Sequence, residues 1–329
     1  MNTLKDLIYH DKIKLPSPPS IALRLLEAIK KEDFSFTEIA EIIQYDPALA
    51  AKVLKVVNSA FYSLPSKIGS IERALAIIGI HSVKNIVFSF NLVDGMKVSS
   101  TDIFNIDYFW KRSIIAAIGT ELFTEYFNLK DDNIFVTALL QDLGILILHS
   151  NYVDDYSRLI EEKNSTKTPI EVLEKRQFGF SHQDLCSEVL EQWGLPENIY
   201  LPIRHHHKYE DAPEQNRQTA RILFLSNALS SIYSDIEAYD KIIHFSNIIK
   251  TDLGVSDSSL ESLVDQGGER VVRICSSFQI PSEDIKPLAI LLQEANEGLS
   301  ALNLSYEALL KEYKKEKMLS EKLALELKE

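Results

Sequence analysis

The chain has 329 residues, 45% of them hydrophobic and 25% charged, with only 11 Gly and 11 Pro. That is enough chain for a sizeable core in one large domain or two ordinary ones, and too few breakers to interrupt long helices. The formal net charge of −13 speaks against DNA as a partner, because a phosphate backbone is bound through Lys and Arg. The two cysteines, Cys186 and Cys275, have no metal-site spacing and cannot form a disulfide framework, so both read as core thiols of a reducing compartment.

The N-terminal stretch MNTLKDLIYHDKIK (1–14) reads as a short helix without an apolar signal core. No stretch reaches the roughly 18 consecutive apolar residues of a membrane span. A cytoplasmic protein with no membrane contact is therefore expected. From Ser20 to Ile29 the residues Ile21, Leu25, Leu26 and Ile29 recur with helical period. Ser35 opens an S-x-x-E capping box with Glu38. Asp46-Pro47 is a second start signal. An Asp cap accepts from free amides, and Pro at the first helical position loses nothing by lacking an N–H. The following helix turns Leu49, Val53, Val56 and Val57 inward. Asn58 and Ser59 can end it by bonding to nearby backbone and fixing the turn to the next helix.

A loop over 62–69 leads to Ser70, which caps the helix IERALAIIG. Gly79 is predicted to end that helix at a left-handed position. Another helix is expected over 83–93, and longer ones over 107–127, 133–149, 169–177, 182–193, 216–233 and 236–250. Trp110 and Trp193 each fall on an apolar face and read as core. No alternating run bounded by turns supports a strand. From Leu288 the residues Leu292, Ala295, Leu299, Leu302, Tyr306, Leu309 and Tyr313 alternate spacings of four and three. That seam predicts a coiled coil able to pair two copies of the chain. The alternative is a single amphipathic helix packed back on the domain.

Three blocks of the N-terminal half stand in a telling order: LPSPPSIALRLLEAI (15–29), IIQYDPALAAKVLKVVNSAFY (42–62) and IGSIERALAIIGIHSVKNIV (68–87). Together they resemble the HDOD family, the HD-related output domains of bacterial signalling proteins, and the resemblance runs to about residue 250. It implies an all-α, multi-helix HD-like bundle with an N-terminal helical subdomain and a C-terminal heptad helix. The expected organisation is an N-terminal helix (1–14), the HDOD domain (15–250, with halves 15–95 and 105–235), a helical extension (251–287) and the coiled-coil-like helix (288–329). Within that frame Asp46, Pro47, Asn58, Ser59 and Gly79 read as structural residues.

The HD superfamily, which the second half resembles, uses His and Asp to hold one or two metal ions that activate water against a phosphoester. By that resemblance the first His position is Arg112, in YFWKRSIIAAIG. The His-Asp pair reads Gln141-Asp142, in ALLQDLGILIL. A third His matches His182, in FGFSHQDL, and a His-His pair matches His206-His207, in IRHHHKYE. The terminal Asp is Asn227, in ILFLSNALS. Arg cannot ligate a metal, and Asn offers a neutral carbonyl. Two imidazoles and a carboxylate are thus lost, so no catalytic residue is expected. Asp142, His182, His206 and His207 remain able to hold at most one divalent ion, and Arg112 is expected to pair with Asp142. The implied function is a non-catalytic signal-transduction module acting through protein–protein contacts, as a homodimer joined by the C-terminal helix. One alternative is a metal-dependent phosphohydrolase or cyclic-nucleotide phosphodiesterase that recruits Glu121, Glu188 or His149 as replacement ligands. The other is a nucleotide or phosphate-ligand sensor built on the old cleft. No GGDEF-like or EAL-like segment is present.

Overall fold

The structure, a computed structural model, describes residues 4, 8, 12–15, 20–29, 35–58, 64–95, 103–131, 133–234, 238–254, 262 and 264–272. Ser59, Cys275 and the heptad segment 288–329 lie outside the described residues. Among the described residues the chain is all-α, with no strand.

The first part is four helices: α1 (Ser20–Ile29), α2 (Phe36–Gln44), α3 (Pro47–Val57) and α4 (Ile71–Gly95). Their starts follow from local chemistry. Ser35 Oγ accepts from the Glu38 amide at 3.0 Å, and Asp46 Oδ1 accepts from Ala48 and Leu49 at 2.9 and 3.1 Å. Asn58 closes α3. Its Nδ2 donates to the carbonyls of Leu54 and Ile68, and its Oδ1 accepts from Ile68 N at 2.7 Å. One side chain thus ends a helix and ties down the far end of the following loop. Leu25, Ile39, Ile43, Val53, Val57, Leu75, Val83 and Val87 form this part's own core.

Within α4 two helices meet end to end at Gly79. Its positive φ of 82°, with ψ of 161°, ends the first as expected, and the second begins at once instead of at 83. That conformation is open to glycine because it has no Cβ.

The second part is built on a closely packed pair, α5 (Ile106–Phe127) and α12 (Glu214–Ser234). Around it lie α6 (Ile134–Leu140), α7 (Leu143–Asn151), α8 (Val153–Thr166), α9 (Ile170–Phe178), α10 (His182–Gln192) and α11 (Glu197–Arg204). A 3-10 turn (Tyr209–Asp211) and α13 (Ala238–Leu253) follow, and residues 264–272 are helical too, with Val264 and Val271 in the same core. Helix α5 is apolar on most of its circumference and buried on most of it, as a central helix must be. Asn105 caps it, accepting from Tyr108 N at 2.9 Å. Gly119 lets the pair approach closely: a Cβ there would stand 3.1 Å from that of Ser226.

The expected continuous helix 133–149 is instead two, broken at Gln141-Asp142. The stretch Ile134–Asn151 is long and apolar enough by composition to cross a membrane, yet 83% of it is buried within the protein. Helices α8 and α11 were not anticipated from the sequence. Both nevertheless carry apolar residues at helical spacing, Val153, Tyr156, Leu159 and Ile160 in α8 and Ile199 and Ile203 in α11, so the pattern was present but short. Lys84, 2% exposed, joins the two parts by donating to Asn133 Oδ1 at 2.7 Å.

Candidate metal and ligand cleft

The break between α6 and α7 presents Asp142. Its carboxylate makes no capping bond to α7, so it is left facing inward, and it is 6% exposed. Helix α10 begins at His182, where Asp184 Oδ2 accepts from Ser181 N at 3.0 Å and fixes the start. The two segments touch at Gly144: a Cβ on it would lie 2.0 Å from the His182 carbonyl oxygen. Only glycine allows that approach. At the C-terminal end of α11 the chain turns and delivers His206 and His207 to the same point.

The result is a cluster of four ligand atoms, from Asp142, His182, His206 and His207, all within 4.8 Å of one another. His182 Nε2 is 3.6 Å and His206 Nε2 3.5 Å from Asp142 Oδ1, and His207 Nε2 is 3.1 Å from His182 Nε2. Ligands about 2.0–2.2 Å from a tetrahedral cation stand roughly 3.4 Å apart, which matches this spacing. The proton positions also fit. His206 Nδ1 donates to the Ile203 carbonyl at 2.7 Å, leaving a buried Nε2 lone pair with no hydrogen-bond partner. Two imidazole nitrogens that face each other at 3.1 Å need a proton or a cation between them. The donor set, three imidazoles and a carboxylate, suits one divalent ion of the zinc, iron or manganese type.

Arg112 stands otherwise than expected. Its Nη2 donates to Asn227 Oδ1 at 2.9 Å, while the groups that face Asp142 Oδ1 among the described residues are His182 Nε2 and His206 Nε2. The Arg112–Asp142 pair is therefore replaced by an Arg112–Asn227 hydrogen bond across α5 and α12. The guanidinium still acts on Asp142 at longer range. Burial raises the Asp142 carboxyl, but the facing His206 and the charges of Arg112 and His182 outweigh it and hold it well below the usual range. Burial and the neighbouring histidine charges push His207 well below its ordinary value. Gln141 is fully buried, and neither amide atom of its side chain has a hydrogen-bond partner.

The replacement ligands weighed from sequence are elsewhere. Glu188 pairs with Arg204 at 2.5 Å. His149 is buried, stacked on Phe104 with ring centroids 4.2 Å apart. Glu121 faces Arg270 and Glu125. Sequence reasoning passed over Glu174, whose fully buried carboxylate accepts from His182 Nδ1 at 2.6 Å, and over Tyr156, whose hydroxyl reaches the same carboxylate. The sign in the sequence was slight: a Glu eight residues before a ligand His.

Above the cluster lies a cavity of about 400 Å³. Arg112, Asp142, His182, His207 and Asn227 make its polar end, and its walls are apolar, from Phe109, Ile145, Ile160, Ile170, Phe224 and Ile248. Lys163, Lys241 and His244 stand on its lining too.

Comparison with known proteins gives these features relatives. The family model described as HDOD domain matches residues 15–209. An uncharacterised protein of Treponema pallidum (strain Nichols) is 26% identical over 233 residues, covering 69% of this chain and 44% of its own length. The chain thus spans less than half of that relative. The structure of an HDOD domain protein of unknown function from Geobacter sulfurreducens superposes with a TM-score of 0.67 at 22% identity, covering 82% of this chain and 95% of that one. A Shewanella amazonensis protein provisionally named a phosphohydrolase superposes with a TM-score of 0.66 at 19% identity, covering 83% and 97%. At such identities the likeness is one of fold.

Proposed function

The chain belongs to the HDOD family, and on that premise we propose that it is a non-hydrolysing regulatory module of signal transduction, whose HD cleft has been reduced to a single-cation site. The observation that carries this is the Arg112 Nη2–Asn227 Oδ1 hydrogen bond at 2.9 Å. It joins two positions that would be a His and an Asp ligand in a hydrolytic relative. A fixed positive charge there opposes a second cation, and a dinuclear centre that activates water needs both. Asp142, His182, His206 and His207 would hold the remaining ion, which would supply a Lewis acid for a ligand oxygen. The module would act in the cytoplasm on a partner protein, with no DNA contact, in keeping with a net charge of −13.

The test is turnover. A panel of phosphomonoesters, phosphodiesters and cyclic nucleotides, offered with Mn, Mg, Fe or Zn, is expected to give no hydrolysis above a metal-free control. Hydrolysis that disappears in Asp142→Ala would make the protein a phosphohydrolase and overturn the proposal. Metal content of protein purified without a His tag is expected to approach one ion per chain.

The cavity favours a second reading. Its polar end and apolar walls suit a small anionic ligand with an aromatic or aliphatic body, the anion meeting Arg112, whose planar fork matches phosphate. A thermal-shift screen with nucleotides checks this, since a ligand at a hundred times its Kd stabilises by about 2.7 kcal/mol. A flat screen counts against it.

A further inference from the structure

We propose that Glu174 is a positioning residue which fixes the proton of His182 on Nδ1 and so presents a bare Nε2 to the cluster. The inference rests on the single-cation reading above, and deepens it. Glu174 has no exposed surface, and Tyr156 is 1% exposed. A buried carboxylate is costly unless it is fully paired, and this one is. Its Oε2 accepts from both the backbone N (2.7 Å) and the Nδ1 (2.6 Å) of His182. Its Oε1 accepts from the Tyr156 hydroxyl at 2.5 Å. Three consecutive helices contribute: α8 brings Tyr156, α9 brings Glu174 and α10 brings His182.

Each contact removes a freedom from the imidazole. A carboxylate only accepts, so Nδ1 must carry the proton. The backbone bond locks the carboxylate to the first turn of α10, and the Tyr156 hydroxyl stops it rotating. In the neutral ring Nε2 then points at Asp142 Oδ1 (3.6 Å) and His207 Nε2 (3.1 Å) with its lone pair toward them. An imidazole so held is also a stronger donor to a cation. His206 is fixed in the same sense by the Ile203 carbonyl, but a neutral acceptor does less for basicity than a carboxylate. Glu174 is therefore the group that decides which nitrogen of His182 faces the cluster.

Two measurements on the full chain test this. Long-range nitrogen–proton NMR of the metal-free protein, at a pH high enough for the imidazole to be neutral, is expected to find His182 protonated on Nδ1 alone. Cobalt titration, read from the visible d–d absorption with zinc competition, gives affinity and coordination together. Glu174→Gln keeps the shape and one acceptor, and is expected to bind cobalt about tenfold more weakly. Glu174→Met keeps the volume and removes the acceptor, and is expected to lose up to about 100-fold with a changed cobalt spectrum. If Glu174→Met fails to fold, the wild-type tautomer and the Glu174→Gln affinity still decide. A neutral His182 protonated on Nε2 alone, or wild-type affinity in Glu174→Gln, would overturn the inference. A wild-type protein that binds neither cobalt nor zinc would overturn the single-cation reading, while the tautomer would still report on Glu174.

Discussion

At Gly144 a hydrogen atom occupies the space in which every other residue carries a carbon, and the site depends on it. The 2.0 Å between a built Cβ and the His182 carbonyl oxygen involves backbone on both sides, so no side-chain rotation can relieve it. Gly144→Ala is expected to cost about 3 kcal/mol or more in urea unfolding and to weaken metal binding, because Asp142 and His182 are moved apart. A loss below about 1 kcal/mol would mean that the two segments are not so closely packed. Glu121 carries a different kind of prediction. Burial raises its carboxyl to about 7, with Glu125 adding to the rise and Arg270 opposing it. The native state thus prefers the protonated form more than the unfolded chain does. Stability is fully present below the unfolded value and falls as pH rises through about 7. Glu121→Gln removes the dependence, and at pH 8 should be more stable than the wild type by on the order of 2 kcal/mol, with no advantage at pH 4. Melts at both pH values check it, and equal gains at both would refute it. Of the site, the residues on motif positions (Arg112, Asp142, His182, His206, His207 and Asn227) were legible in the sequence, because each sits in a recognisable local pattern. Gly144, Tyr156 and Glu174 were not. Glu174 lies among Glu171, Lys175 and Arg176 in a helix that looks solvent-facing, and its burial arises only from how α8, α9 and α10 meet.

Among the elements, the sequence is most informative where a cap sets the boundary. Asp46 with Pro47, Ser35 and Asn105 each start a helix by a bond that depends on residues within one turn, so local chemistry suffices. Where boundaries depend on tertiary contact, the sequence misleads. The apolar run from Ile134 to Leu148 reads as one helix by period, and the break at Gln141-Asp142 comes from packing against α10 through Gly144, a contact that no local pattern encodes. The turn after α3 offers a test of the local kind. Asp46→Ala removes one capping oxygen and should cost about 1 kcal/mol. Asn58→Ala removes three hydrogen bonds spanning both ends of a loop and should cost about 2 kcal/mol, at near 1 each less what water restores. Asn58→Asp keeps the acceptor for Ile68 N and loses both donors, and is expected to fall between the wild type and Asn58→Ala. Chemical unfolding of the three variants measures the order. An Asn58→Ala loss no larger than that of Asp46→Ala would mean the loop holds without its pin.

At the scale of the whole molecule the described residues form two cores, and the chain does not divide between them simply. One lies among α1–α4 and the other around α5 and α12. Yet Ile8 and Ile13, from the first residues of the chain, are buried in the second core, and Lys14 exchanges two hydrogen bonds with Asn151. These residues therefore attach the start of the chain to the HD-like half, and Lys84 joins the first part to the same half through Asn133. What covers or pairs the molecule beyond that is a matter for the heptad segment, 288–329, which lies outside the described residues. Its sequence repeats apolar residues at alternating spacings of four and three over about four heptads, with Lys and Glu between. A stripe that narrow suits a facing helix of the same kind better than the broad face needed to lie on a globular domain. We therefore expect the full chain to be a dimer by light scattering, and residues 1–287 alone to be a monomer. Dimerisation weakened by Leu299→Asp with Leu309→Asp, at unchanged metal content, would assign the pairing to the seam and leave the cleft independent of it. A monomeric full chain, or a dimer that survives both the truncation and the double substitution, would remove the coiled coil as the means of association.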